Sequence, residues 1–111
     1  MSATPHPLFW VAGTVTSLGQ RFRNNENTTF HSLEICRLGG NMQRFTIVRA
    51  LEDIAALVER DCIGTFFFCS LPGERRLWCV ARADGPHGID VEAMRKIIPE
   101  ADSDASRADA R

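Results

Sequence analysis

The order of elements along the chain predicts an all-β domain with helices, a five-stranded Greek-key barrel of OB type (β-β-β-α-β-β) plus a short C-terminal helix. Three strand-like runs come first, one amphipathic run of about three helical turns follows, and two more strand-like runs complete the series. The apolar positions of each predicted hairpin also fall on matching faces, which favours the pairing of those strands.

The length of the chain bounds the domain organisation. At 111 residues it is long enough for one hydrophobic core. We expect a flexible N-terminus over residues 1–7, a single domain over residues 8–98 and a disordered polar tail over residues 99–111. The longest apolar run is far short of the ~20 residues of a membrane span, and the opening MSATPHP does not resemble a signal peptide. We therefore expect a cytoplasmic protein without a membrane partner.

Charge is unevenly distributed along the chain. The formal net charge is −1, but residues 1–50 carry +3 and residues 51–111 carry −4. Twelve of the thirteen basic residues are arginine, whose planar fork suits phosphate and whose face stacks on bases. A GC-rich genome would give the same arginine bias without a functional cause, so composition alone leaves both explanations open.

The first predicted strand covers residues 8–17. Its interior face is formed by Phe9, Val11, Gly13 and Val15, and Gly13 in mid-strand predicts a bulge or a tight bend. Residues 18–28 are polar and rich in asparagine, which predicts a long loop that carries the segment Arg21-Phe22-Arg23.

The second and third strands are predicted over residues 29–38 and 43–50, joined by the turn Gly39-Gly40-Asn41. One face of this hairpin should hold Leu33, Ile35, Phe45 and Ile47. The opposite face should hold Ser32, Glu34, Cys36, Arg44, Thr46 and Val48. The helix follows over residues 51–61, because Leu51, Ile54, Ala55, Val58 and Cys62 share one helical face.

The last hairpin is apolar on both faces. Strands over residues 64–71 and 76–83 should place Phe67, Cys69 and Leu71 beside Leu77, Cys79 and Ala81, and should put Phe66, Phe68, Trp78 and Val80 on the other face. This second group forms either the barrel core or a buried interface with a partner or a second copy. Residues 84–88 should form a loop, and Asp90 should cap a last helix that ends near residue 98.

The stretch VAGTVTSLGQRFRNNENTTFHSLEIC, residues 11–36, resembles the opening of bacterial single-stranded-DNA-binding and primosomal OB proteins. In those proteins a G-x-V strand leads into a basic loop and then into a strand of alternating apolar residues. The resemblance implies an OB barrel that binds single-stranded nucleic acid. The chain departs from the pattern because it has no tyrosine and no aromatic residue at the outward positions of strands two and three.

Two loops of the predicted barrel carry the candidate binding residues. We hypothesise a clamp formed by Arg21, Phe22 and Arg23 with Arg75 and Arg76, extended by Arg37, Arg44 and Trp10. The alternative is that these are ordinary solvated loop charges. No motif for a metal, a cofactor or a catalytic centre is present, so we expect a non-enzymatic protein without a cofactor. The four cysteines have no C-x-x-C spacing and are expected to be reduced, with Cys69 and Cys79 as cross-strand neighbours.

Overall fold

The computed structural model describes residues 8–71 and 74–97 as strands with two short helices. The predictions for residues 1–7 and 99–111 lie outside this part. The elements are β1 (Leu8–Leu18), β2 (Arg21–Asn24), β3 (Asn27–Arg37), β4 (Met42–Leu51), α1 (Glu52–Ala55), β5 (Ile63–Leu71), β6 (Glu74–Arg82), β7 (His87–Ile89) and α2 (Val91–Ile97).

Five strands close into a ring in the order β1-β3-β4-β6-β5, and β5 pairs back to β1. The β4–β6 pairing is parallel and short, and the other pairings are antiparallel. The sheet is extended by β2, which pairs with β3, and by β7, which pairs with β6. The all-β class with helices is therefore confirmed.

Strand β1 changes partner along its length. Its first residues pair with β5, its last residues pair with β3, and Gly13 pairs with both Gly64 and Arg37. A Cβ atom at Gly13 would overlap the carbonyl group of Cys36, so the close approach of β1 and β3 requires glycine there. Of the two alternatives predicted at Gly13, a bulge or a tight bend, the bulge is not found there, because the irregularity in the β1–β3 register lies between Val15 and Ser17.

The core fills the inside of the ring. Three phenylalanine rings stack near the ends of their strands, with centroid distances of 5.1 Å for Phe9–Phe68 and 4.5 Å for Phe45–Phe68. The largest completely buried side chains are Phe30, Phe66, Phe68, Leu33, Ile35, Ile54, Leu77, Val11, Val15, Val48, Val58 and Val80.

The predicted helix of residues 51–61 is wrong in extent. The α-helix covers only Glu52–Ala55, and the chain then continues in tighter turns, with the amides of Leu57 and Val58 bonded to carbonyls three residues earlier. The carbonyls of Leu57 and Val58 accept hydrogen bonds from Arg82 and Arg21 instead. The predicted apolar face is nevertheless buried, because Ile54, Ala55, Val58 and Cys62 all belong to the core.

Two segments predicted as loops contain short strands. Residues 18–28 form a hairpin in which β2 pairs with the start of β3, and Asn25 at its turn has a φ of 58°. Asparagine tolerates this left-handed conformation better than most residues do, so the asparagine-rich run contained a turn signal. Residues 87–89 form β7, beyond the turn that contains Gly85.

The predicted faces of the β3–β4 hairpin are correct near the turn and wrong farther along. Leu33 lies opposite Phe45, and both are buried. Ile47, however, is exposed and Val48 is buried, the reverse of the prediction. Ile47 has a φ of 53°, a strained conformation for a β-branched residue, and this turns the following side chain inward.

The β5–β6 hairpin also differs from its predicted register, because β6 contains a bulge. The register shifts between Phe67 and Phe68, so that Phe67 pairs with Cys79, Phe68 pairs with Leu77, and Trp78 is the extra residue. Leu77 therefore enters the core. Cys69 pairs with Arg76, which means that the two thiols predicted as cross-strand neighbours are not paired.

Helix α2 begins as predicted. Asp90 precedes it, and its Oδ1 atom accepts a hydrogen bond of 3.0 Å from the amide of Ala93. The helix covers Cys69, which forms a small second cluster with Ala93 and Trp78. Among residues 8–71 and 74–97, neither helix has the length and apolarity needed to cross a bilayer.

Candidate functional site

The two arginine-bearing segments lie in one line across the sheet. Strand pairing joins Arg21 to Phe30, Phe30 to Val48, and Val48 to Arg75. The next row joins Phe22, Thr29, Arg49 and Arg76. Because successive side chains of a strand point to opposite faces, these two rows face opposite sides of the sheet. The predicted residues are thus close along the backbone but do not form one clamp.

Arg21 and Arg75 lie on the side of the sheet that faces the core. The Arg21 guanidinium lies 5.3 Å from the centre of the Phe30 ring and donates a hydrogen bond of 3.2 Å to the Val58 carbonyl. The Arg75 guanidinium lies 5.6 Å from the centre of the Phe45 ring, and its buried Nε atom has no hydrogen-bond partner among residues 8–71 and 74–97. Both arginines therefore cover core aromatics through cation–π contacts.

Arg23 and Arg76 are held in ion pairs. Arg23 Nη2 lies 2.9 Å from Glu52 Oε1, a pair on the protein surface. Arg76 bonds Glu74 at 2.9 Å and Asp90 at 3.1 Å, and its side chain is only 15% exposed. Since Asp90 also caps α2, Arg76 joins β6 to the helix and is occupied within the protein.

The structure also separates the three residues predicted to extend the clamp. Arg37 is exposed and donates a hydrogen bond of 3.4 Å to Gln43 at the β3–β4 turn. Arg44 is exposed on β4. Trp10 is 60% exposed, but it pairs with Phe67 on β5 and so lies on a different part of the ring.

One outer face, here named the charged face, is formed by β2, β3 and β4. It is defined by the outward residues Phe22, Thr29, His31, Glu34, Arg44, Thr46, Ile47 and Arg49. Phe22 is half exposed, and only Thr29 separates it from Arg49 in the row across these strands. Strand β2, which was predicted as loop, is what brings this aromatic ring to the edge of the face.

The charges on the charged face are mixed. Arg44 lies opposite Glu34 in the register, yet within residues 8–71 and 74–97 it makes no ion pair. Glu34 instead accepts a hydrogen bond of 3.3 Å from the Thr16 hydroxyl. Arg49 lies 3.3 Å from Glu74 and is more than a third exposed. Two arginines are thus accessible, with an acidic residue close to each.

A second outer face, here named the uncharged face, is formed by β1, β5, β6 and β7. Its outward residues are Trp10, Ala12, Thr14, Ile63, Thr65, Phe67, Trp78, Cys79, Ala81, His87 and Ile89. None of these residues is Asp, Glu, Lys or Arg; farther along the same side, Arg76 and Cys69 lie beneath α2, where Arg76 pairs with Asp90. One row of pairing joins Trp10, Phe67, Cys79 and Ile89 across all four strands.

The four residues proposed as an interface do not share this surface. Phe66, Phe68 and Val80 are completely buried in the core, which agrees with the core interpretation of this group. Trp78 lies on the other side of β6 because of the bulge, and it contacts Phe67 at a centroid distance of 5.8 Å. The indole Nε1 of Trp78 is buried, and no described residue forms a hydrogen bond with it.

The thiols of Cys69, which is buried, and Cys79, which is partly buried, are poorly suited to metal binding or nucleophilic chemistry. Burial raises the pKa of Cys69 to about 11, and burial also raises the pKa of Cys79. Both thiols therefore stay protonated near neutral pH. Within the described ranges, no group of three His, Cys, Asp or Glu side chains is arranged to hold a metal ion.

Comparison with known proteins adds no relative to these observations. No protein-family model, no curated protein and no solved structure matches the chain. The geometry of the two outer faces is therefore the basis for a functional proposal.

Proposed function

We propose that the ring is an OB-like barrel and that the protein binds single-stranded nucleic acid on the charged face. The order of ring strands, the parallel β4–β6 pairing and the position of α1 between β4 and β5 support the OB-like assignment. In OB barrels the face of the second and third strands is a common site for oligonucleotides. In this chain those strands are β3 and β4, which form most of the charged face.

The observation that carries the proposal is the row from Phe22 to Arg49. Adjacent strands lie about 4.8 Å apart, so the backbones of these two residues are about 10 Å apart across β3. A base stacked on Phe22 would leave its phosphate within reach of the Arg49 side chain. Arg44 extends the same face toward the β3–β4 turn and supplies a second cation for the backbone of the strand.

Single strands fit this face better than a duplex does. The half-exposed Phe22 ring needs an unstacked base, which a single strand offers and a duplex does not. With Glu34 and Glu74 close to the two arginines, we expect weak binding. Neutralisation of two phosphates predicts a slope of about −1.4 in log K against log salt for a single strand.

The test is a fluorescence anisotropy titration of a labelled oligothymidylate at low salt. We expect Phe22→Ala to weaken binding about tenfold, since stacking of one base contributes ~1–3 kcal/mol. Arg44→Ala should reduce the magnitude of the salt slope by about 0.7, because one phosphate contact is lost. Arg60→Ala is the matched control, since Arg60 is also exposed but lies outside the charged face.

Three results would contradict the proposal. The first is absence of binding at low salt. The second is equal affinity for the single strand and the duplex. The third is equal weakening by Arg60→Ala and Arg44→Ala, which would indicate that only the overall charge matters.

A further inference from the structure

We propose that Ile47 is a base-contacting residue of the charged face and that, together with His31, it forms a second nucleobase position beside Phe22. This role rests on the proposed function, because it names a further contact with the same single strand. Three features of the molecule support it: the backbone conformation of Ile47, the exposure of its side chain, and the chemistry of the residues around it.

The backbone of Ile47 is strained in a way that a different residue would avoid. Its φ of 53° lies in the left-handed region, which β-branched residues rarely adopt and which glycine adopts readily. The change of face along β4 needs this backbone conformation, but it does not need an isoleucine side chain. Backbone strain of this kind is found most often at binding sites and active sites. We therefore attribute the isoleucine side chain to binding rather than to folding.

The side chain of Ile47 lies at the surface rather than in the core. It is 55% exposed, while Phe45 and Val48 on the same strand are 3% and 0% exposed. Thr46, the residue before it, is also exposed, so two consecutive side chains of β4 point outward. Burial in the core therefore does little to offset the strain at Ile47, whereas contact with a ligand would use the side chain that the strain presents.

The ladder between β3 and β4 is interrupted at Ile47. Both strands are described over their whole length, and their register skips one position, that of His31 and Ile47. His31 is exposed, and its amide donates a hydrogen bond of 2.8 Å to the carbonyl of Gln20. The skipped position lies about 7 Å along the strands from the row of Phe22 and Arg49. His31 and Ile47 thus form the next outward position beside that row.

The residues around Ile47 fit a nucleotide better than they fit a purely apolar ligand. Arg44 precedes it by three residues and Arg49 follows it by two, and both arginines are accessible. Isoleucine is among the apolar side chains that proteins insert between bases, and histidine is among those on which unstacked bases stack. Cations on both sides of such a position match the alternation of base and phosphate along a single strand. A base at His31 and Ile47 would therefore follow the base stacked on Phe22.

Fluorescence anisotropy with the labelled oligothymidylate, combined with urea unfolding, tests the role of Ile47. Ile47→Gly should weaken binding about fivefold, the effect of losing contact with one to two methylene groups. The salt slope should stay unchanged, because no phosphate contact is removed. The same variant should be at least as stable as the wild type, because glycine adopts the left-handed conformation without strain. Ile47→Val should retain most of the affinity, because it keeps an apolar β-branched side chain.

Ile63→Gly is the matched control. Ile63 is 50% exposed, lies on β5 outside the charged face, and has no left-handed backbone conformation. Glycine at this position should leave the affinity for oligothymidylate unchanged. It should lower the urea midpoint, because glycine weakens a regular strand.

The outcomes separate this role from the proposed function. If the wild type fails to bind oligothymidylate at low salt, both are wrong. If the wild type binds and Ile47→Gly binds equally well, only the role of Ile47 is wrong. An equal loss of affinity in Ile63→Gly would also overturn that role, and so would a fall in urea midpoint for Ile47→Gly as large as that for Ile63→Gly.

Discussion

The two outer faces of the ring are built from the same kind of alternating strand and differ in what the outward positions carry. On the charged face these positions hold Arg44, Arg49, Glu34 and one half-exposed aromatic ring. On the uncharged face they hold two tryptophans with alanine, threonine and isoleucine. One face therefore presents charged groups to the solvent, and the other presents mainly apolar and uncharged polar groups.

This difference shows that net charge along the sequence is a poor guide to surface charge. The second half of the chain is net negative, yet its two long strands, β5 and β6, contribute most of the uncharged face. Its charges lie mainly at residues 52–61, at the two ends of β6, in and around α2 and at residues 100–111. The relevant unit is the outward face of a strand, since alternate residues belong to different surfaces.

The largest expected effect is a loss of stability, and it distinguishes a residue inside the ring from a residue on an outer face. Phe68→Ala should lower the free energy of unfolding by about 3–5 kcal/mol, because it removes a buried ring stacked on Phe9 and Phe45. Urea unfolding measures this loss. Trp10→Ala is the control and should cost less than about 1 kcal/mol. Comparable losses in the two variants would contradict the assignment of Phe68 to the core and Trp10 to the surface.

An intermediate effect is expected at Arg76, where the row from the charged face ends beneath α2. Removal of Arg76 leaves Asp90, which is 2% exposed, without its ionic partner. Removing one partner of a buried ion pair typically lowers the free energy of unfolding by about 3–5 kcal/mol. Because the Arg76 side chain is still 15% exposed, we expect Arg76→Ala to lower it by about 2–3 kcal/mol.

The comparison for this prediction is Arg49→Ala, which removes a more exposed partner of Glu74 and should cost less than about 1 kcal/mol. Urea unfolding measures stability, and titration of the folded variants measures binding. If Arg76→Ala left stability unchanged and weakened binding, Arg76 would be a binding residue and the structural role given to it here would be wrong.

The smallest effect concerns the dependence of stability on pH near the edge of the uncharged face. Two hydrogen bonds from Arg82, of 2.7 and 2.9 Å, hold the pKa of Asp84 below its usual value. The ionised form is thus favoured in the folded state. The stabilisation is complete above the unfolded-state pKa of about 3.9 and is lost as the pH falls through the lower folded-state pKa.

Asp84→Asn should therefore reduce the difference in urea midpoint between pH 7 and pH 3 by a small amount. Glu92→Gln is the control, since no hydrogen bond or ion pair of Glu92 is found within the described ranges. An unchanged difference in Asp84→Asn would show that the Arg82 pair contributes nothing to acid sensitivity.

Much of the fold could be predicted from the pattern of the sequence. The five long strands, the turn at Gly39 and Gly40, and the cap at Asp90 lie close to their predicted places. These features depend on short-range chemistry, namely alternation, turn residues and capping. The short strands β2 and β7 were missed because they are too short and polar to show alternation.

The candidate site was less predictable. Phe22 was predicted to be a binding residue, and the structure places its ring half exposed at the edge of the charged face. Arg49 was not predicted, because its outward position follows from the change of face at Ile47. The four arginines of the expected clamp carry the right charge for a ligand. Each has instead a contact within the protein, with Phe30, Glu52, Phe45 or Asp90.

The sequence by itself determined the five long strands, their order along the chain and most of the apolar residues that fill the ring, because alternation and burial act locally. Only the tertiary structure decided which face each remaining side chain occupies. The strained residue Ile47 and the bulge at Trp78 each change the phase of a strand. The α-helix is shorter than predicted, and beyond its end Arg21 and Arg82 donate hydrogen bonds to the carbonyls of Val58 and Leu57. Such shifts arise from packing between distant segments, and a one-residue change of phase exchanges the inner and outer faces of a strand.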